Sequence, residues 1–156
     1  MQKLKILNTR EKRKIIDSLK QTYDFSGKLE GVLFLSSKQK LFLLTGGSEI
    51  IERGEERQLR IDKAGLYIGR IMPEGIRLSI EGSQLIGLNA KKNILLINEA
   101  HLEPWVKGED FKLDDFDKEG LFIVKYKNDF LGCARIKKNN VQNLISKNRR
   151  IKTLNK

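Results

Sequence analysis

The sequence predicts an α+β protein in two parts, with a soft boundary at Asn89–Asn93. Three observations predict it. Ile15, Ile16, Leu19 and Tyr23 recur at helical spacing within a basic stretch near the start. Strand-length aliphatic runs, "GVLFLSS", "KLFLLTGG", "GLYIGRIM" and "IRLSI", then follow one another, separated by turn residues. Beyond the boundary a second set, "NILLIN", "LFIVKYK" and "FLGCARIK", is richer still in strand.

Taken in order, Thr9 is read as the N-cap of the helix "REKRKIIDSLKQTY", which "DFSGKLEG" ends with two glycines. "GVLFLSS" and "KLFLLTGG" form a hairpin around Lys38 and Gln39, and Ser48 caps a short helix "EIIERGE" after Gly46-Gly47. Pro73-Glu74-Gly75 turns "GLYIGRIM" into "IRLSI", and "GSQLIGLNAKK" is a short helix or a loop. Glu99 to Glu103 with Pro104 is read as a bend after "NILLIN", and "PWVKGEDF" as a short strand with a turn at Gly108. "LFIVKYK" and "FLGCARIK" form a hairpin with Asn128-Asp129 at its turn, while "NNVQNLISKNRR" is helix or extended.

The chain has 156 residues, 39% hydrophobic, which suffices for a buried core. Its formal charge is +11 and is sorted unevenly. Residues 94–132 hold nine acidic and five basic groups, whereas residues 133–156 hold eight basic groups and no acidic one. Cationic surface concentrates polyanions, nucleic acid or acidic membrane. Six aliphatic residues lie within the basic end (Ile136, Val141, Leu144, Ile145, Ile151 and Leu154), so it is read as folded rather than frayed.

The chemistry of an enzyme is missing. His101 is the lone histidine and Cys133 the lone cysteine, so neither a zinc site nor an internal disulfide can be built from them. Phosphate-cradling glycine motifs are absent. Asp114, Asp115 and Asp117 crowd together without calcium-loop spacing and are read as a solvated loop, not a metal site. Cys133, between Gly132 and Ala134, reads as a small core residue. No run reaches the roughly 18 apolar residues of a membrane span and no secretory signal is visible, so a cytoplasmic protein without a membrane partner is expected.

The stretch from "NILLINEAHLEPWVKGEDF" through "EGLFIVKYKNDFLGCARIKKNN" resembles a PUA domain, the small RNA-binding barrel named after pseudouridine synthases and archaeosine transglycosylases. The resemblance rests on Gly108 in "WVKGED", Gly120 before "LFIVKY", and "FLGCARI". "GVLFLSSKQKLFLLTGGSEII" and "GLYIGRIMPEGIRLSIEGSQLIG" are similar to the pre-PUA domain of archaeal and eukaryotic ribosome-assembly factors. The C-terminal region of Sun-family ribosomal RNA cytosine methyltransferases is arranged in a similar way, and their catalytic domain is not expected within these 156 residues.

The resemblance implies a pre-PUA-like α/β domain over 1–90 and a PUA-like mixed β-barrel over 91–156. It implies an RNA-binding protein acting on ribosomal RNA or its precursor in ribosome assembly or rRNA modification, and the missing catalytic residues add the expectation of no catalytic site and no cofactor. Partners would be ribosomal or transfer RNA, with ribosome-assembly proteins or an RNA-modifying enzyme. The alternative is an RNA-targeting subunit of a methyltransferase or pseudouridine synthase. Arg135, Lys137, Lys138, Lys147, Arg149, Arg150 and Lys152 are the expected phosphate contacts, with Lys125 and Lys127 peripheral. Asn139, Asn140 and Asn143 are candidates for base edges, turns or caps. A protein-interaction scaffold anchored by the basic N-terminal helix, or by exposed apolar residues such as Phe111 and Phe116, is a third reading.

Overall fold

A computed structural model describes residues 3–45, 59–60 and 65–152. The chain begins with β1 (Lys3–Ile6), which the sequence reading did not anticipate, and α1 (Thr9–Tyr23). Helix α1 starts one residue earlier than Thr9 as cap would allow. Asn8 is the N-cap: its side-chain oxygen accepts the Glu11 N–H at 2.8 Å, and Glu11 Oε1 accepts the Asn8 N–H at 3.1 Å. This reciprocal box satisfies two donors that the first turn would otherwise orphan. Asp24, in the left-handed region at φ 50°, ends the helix.

Strands β2 (Val32–Ser36), β3 (Lys40–Leu44), β4 (Leu59–Arg60), β5 (Leu66–Met72) and β6 (Gly75–Leu78) follow. With β1 they form an antiparallel sheet in the order β4-β1-β2-β3-β5-β6, so both expected hairpins of this half are present. The helix expected over 49–55 with Ser48 as cap, and the Gly46-Gly47 turn, lie outside the described residues. "GSQLIGLNAKK" resolves as helix α2 (Ile80–Gly87), because the Ser79 hydroxyl accepts the Gly82 N–H at 2.9 Å and starts it.

The second sheet contains β7 (Ile94–Leu96), β8 (Phe111–Lys112), β9 (Gly120–Tyr126), β10 (Asp129–Lys137) and β11 (Asn140–Asn143), in the order β7-β9-β10-β11-β8. Only β7 runs parallel to its neighbour. The expected barrel is an open sheet in its hydrogen bonding: β7 and β8 end the row at opposite edges. Two local readings are corrected. The expected bend at 99–104 is helix α3 (Glu99–Val106), started by Asn98, whose side chain accepts the His101 N–H at 3.2 Å. Pro104 does not stop it, because Trp105 one residue on is fully buried and anchors the last turn. The β9–β10 turn is Lys127-Asn128 rather than Asn128-Asp129, since Lys127 takes the left-handed conformation and Asp129 pairs with Tyr126.

Strand β9 is a wall with a core on each side. Leu121 and Ile123 join α1 (Leu19, Tyr23) and the inner face of the first sheet, with Ile68 and Ile76. Phe122 and Val124 point the other way, towards Trp105, Ala134, Ile136 and Val141. Period-two alternation in a strand apolar on both faces produces this arrangement. The first core thus draws residues from both halves of the chain.

A bulge in β10 between Phe130 and Cys133 locks the helices to the sheet. Gly132 sits there at φ 107°, a conformation that a side chain would strain. Its N–H, free of the ladder, donates to Ser83 Oγ of α2 at 2.9 Å, and the Leu131 carbonyl accepts the Trp105 indole N–H of α3 at 2.9 Å. Both groups that the bulge releases therefore find a buried partner.

Candidate nucleic-acid interface

The β10–β11 hairpin turns at Lys138-Asn139, both left-handed at φ 49° and 67°. Two consecutive positive φ values are what a two-residue hairpin turn needs, and asparagine tolerates them. The register places Lys137 opposite Asn140, Arg135 opposite Gln142, and Lys112 of β8 beside Asn140. Opposite residues share a sheet face, so these five side chains share one face. Ile136, Val141 and Phe111 alternate with them and face the core around Trp105. Lys137, Lys138, Asn140 and Gln142 are exposed, and with Arg135 they line a concavity of about 240 Å³.

The acidic loop lies across the sheet from these cations, while Glu74 and Glu119 approach them. The loop carrying Asp114, Asp115 and Asp117 is held on the opposite side, where Leu113 and Phe116 pack into the Trp105 core. Asn139 pins that loop: its carbonyl accepts the Leu113 N–H at 2.7 Å and its side chain the Phe116 N–H at 2.8 Å. Glu119 Oε2 accepts the Lys138 backbone N–H at 2.9 Å. Among the described residues no carboxylate forms an ion pair with Lys112, Lys137 or Lys138. Lys112 was missed in the sequence because it lies in the acidic segment; only strand pairing brings it beside Asn140.

The remaining expected contacts fall in different places. Arg135 is committed to the fold: Nη2 pairs with Glu74 at 2.7 Å across the two sheets, and Nη1 donates to Gln142 at 3.2 Å. After β11 the chain forms a strap with one 3₁₀ turn, Lys147–Arg149. Asn143 roots it: buried, it donates to the Trp105 and Glu109 carbonyls at 2.8 and 3.2 Å and accepts the Ile145 N–H at 2.9 Å. Arg149 pairs with Glu81 of α2. Arg150 Nε donates to the Ile145 carbonyl at 3.2 Å, and its stem crosses Gly108 so closely that a Cβ there would lie 2.2 Å from Arg150 Cδ. The Ile151 N–H donates to the Val106 carbonyl at 2.8 Å, so the strap runs ordered along α3, with Lys147 and Lys152 exposed.

Lys125 and Lys127 sit at the other end of β10 from Lys137, Lys125 over the Phe130 ring at 5.1 Å and Lys127 over Tyr126 at 5.4 Å. Strand rise over β10 separates the two ends by about 25–30 Å, so these lysines belong to a different patch. His101 stacks on Phe111 with centroids 4.3 Å apart, and Phe116 meets Phe122 edge-on. Both phenylalanines are half-buried and packed against the Trp105 core rather than offered to a partner. Among the described residues no group of acidic, histidine or cysteine side chains could hold a metal, and no helix is long and apolar enough to cross a membrane.

These strands, α3 and the strap occupy the region that the comparison with protein families singles out. Residues 92–151 match the family model of the methyltransferase RsmF PUA domain. The C-terminal part of the chain is PUA-like. The match runs from just before β7 to the end of the strap, and so takes in the Lys112–Lys137 face, Arg149 and Arg150. No curated protein matches the chain. A PUA domain is an RNA-binding module, and exposed cations are the chemistry such a module needs.

Proposed function

We propose that the protein binds RNA through its PUA-like part, has no catalytic site of its own, and acts on ribosomal RNA or its precursor in the cytoplasm during ribosome assembly or rRNA modification. The supporting observation is the coincidence of the family match over 92–151 with a sheet face bearing Lys112 and Lys137, and a turn bearing Lys138, none of them in an ion pair among the described residues. Phosphates would be held by these lysines and by Lys147 and Lys152 of the strap. Exposed Asn140 and Gln142 would present amide donors and acceptors to bases splayed from a single strand or loop. We read the first sheet with α1 and α2 as a pre-PUA-type domain that braces this surface, supported by the shared core.

Crosslinking in cell extract followed by sequencing of the attached RNA tests the reading. Enrichment of ribosomal RNA fits it, transfer RNA redirects it to the other expected substrate, and RNA recovery no better than from a Lys137→Glu/Lys138→Glu control overturns it.

A second reading is favoured by the matched family, which is the PUA domain of a methyltransferase. The protein would then target RNA for a methyltransferase. Labelled methyl transfer from S-adenosylmethionine to RNA, with the chain alone and with a partner enzyme, separates this from the first reading.

A further inference from the structure

The outer face of the first sheet bears cations that the family match does not reach. Lys40 of β3 stands opposite Arg70 of β5, and Arg70 opposite Arg77 of β6. The three form a row about 10 Å long across adjacent strands. Leu41, next to Lys40, and Ile76 and Leu78, on either side of Arg77, are in the core, which puts the row outside.

Like charges directly opposite one another destabilise a sheet. Among the described residues none of the three is in an ion pair. Each is instead positioned by an uncharged group. Arg70 Nε donates to the Lys38 carbonyl at 3.1 Å, Arg77 Nη2 to the Leu144 carbonyl at 2.7 Å, and Lys40 Nζ lies 5.8 Å from the Tyr67 ring centroid. Among the described residues the charges are thus held in place without an ion pair, and the guanidinium groups keep donors to spare.

The row also connects to the PUA-like part. Leu144, which Arg77 grips, directly follows β11, two residues after Gln142 of the cationic face. Arg77 shares a cleft of about 60 Å³ with Tyr67, Ser79, Ser146 and Arg149, the last pairing with Glu81 across it.

We propose that Lys40, Arg70 and Arg77 form a second RNA-contacting surface, which takes the sugar–phosphate chain from the β10–β11 face across the junction onto the first sheet. This rests on the RNA-binding reading and extends it to the half of the chain outside the family match.

The test uses the full chain with two labelled probes, a 20-nucleotide single strand and a hairpin of equal length, titrated by anisotropy over a range of salt. Lys40→Gln/Arg70→Gln is the deciding variant, because neither side chain supports the junction. Arg70→Gln/Arg77→Gln is the second, with thermal melting to check its fold. Each is expected to bind several-fold more weakly, with a log–log salt slope shallower by about 1.4, from roughly 0.7 per lost phosphate contact. Wild-type affinity and slope for Lys40→Gln/Arg70→Gln, while Lys137→Gln/Lys138→Gln weakens binding, overturns the row and leaves the RNA reading intact. Failure of the wild-type protein to bind either probe removes the RNA reading, and this inference with it.

Discussion

The Ser83 hydroxyl accepts the Gly132 N–H at 2.9 Å, in a place where Ser83 is wholly buried. The same hydroxyl donates to the Ile80 carbonyl at 2.6 Å. One side chain of α2 thereby closes the gap that the β10 bulge opens in the ladder, and it joins the N-terminal half to the strand from which the cationic face is built.

Replacing Ser83 by alanine is expected to cost about 1–3 kcal/mol, because a buried N–H is left without a partner. Urea unfolding measures it. A loss below about 0.5 kcal/mol would show that the bulge has another way to satisfy Gly132.

Tyr23 and Cys133 meet near this point, Oη 3.5 Å from Sγ, and the phenol donates to the Ile76 carbonyl at 2.7 Å. Burial pushes both acids up: the phenol well above its ordinary range, helped by the nearby thiol, and the thiol upwards although the Tyr23 hydrogen bond opposes it. Both neutral forms are favoured by folding. Their contribution is therefore complete below the unfolded pKa values, about 8.5 for thiol and 10 for phenol, and is lost as pH rises past them. Stability should fall above about pH 8.5–10 and be insensitive to these groups below. In the native protein at neutral pH Cys133 should react with a thiol reagent only as fast as the fold opens, which a stopped-flow thiol titration checks.

Gly108, at φ 84° beneath Arg150, is the seat of the strap. Gly108→Ala adds both left-handed strain and a collision with the Arg150 stem, and should cost roughly 1–3 kcal/mol. The Ile151 amide, now bonded to Val106, should then exchange with deuterium faster than the amides of β9. Equal protection before and after the substitution would mean that the strap is held elsewhere.

Lys137→Gln/Lys138→Gln should leave stability within about 0.5 kcal/mol, as both side chains are exposed, and lower the salt slope of RNA binding by about 1.4. Arg135→Gln should do the reverse in kind. It removes the Glu74 pair, a partly exposed contact worth at most about 1 kcal/mol, and changes affinity little. Greater loss of RNA binding from Arg135→Gln than from the double lysine variant would contradict the assignment of Arg135 to the fold.

Much of the fold was legible because its signals are local. The hairpins around Lys38 and Asn128, the strand "GLYIGRIM" and the core placement of Cys133 follow from alternation and turn residues. The misreadings have local competitors. Pro104 signals a stop, but Trp105 burial outweighs it, and "NTRE" contains a capping box that was passed over in favour of Thr9. Strand β1 is four residues long and half charged, so it needs β2 and β4 beside it to be a strand.

The sequence by itself determined that the chain is basic, where its cations concentrate, that it folds with a mixed α and β content, and that its second half resembles a PUA domain. Only tertiary structure decided what each cation does. Pairing between strands put Lys112 and Lys137 on either side of Asn140 and aligned Lys40, Arg70 and Arg77 from three separate strands, while packing of the two sheets brought Arg135 to Glu74. Charge is a property of composition, whereas a charged face comes from register, and register is fixed by contacts between residues distant in the chain.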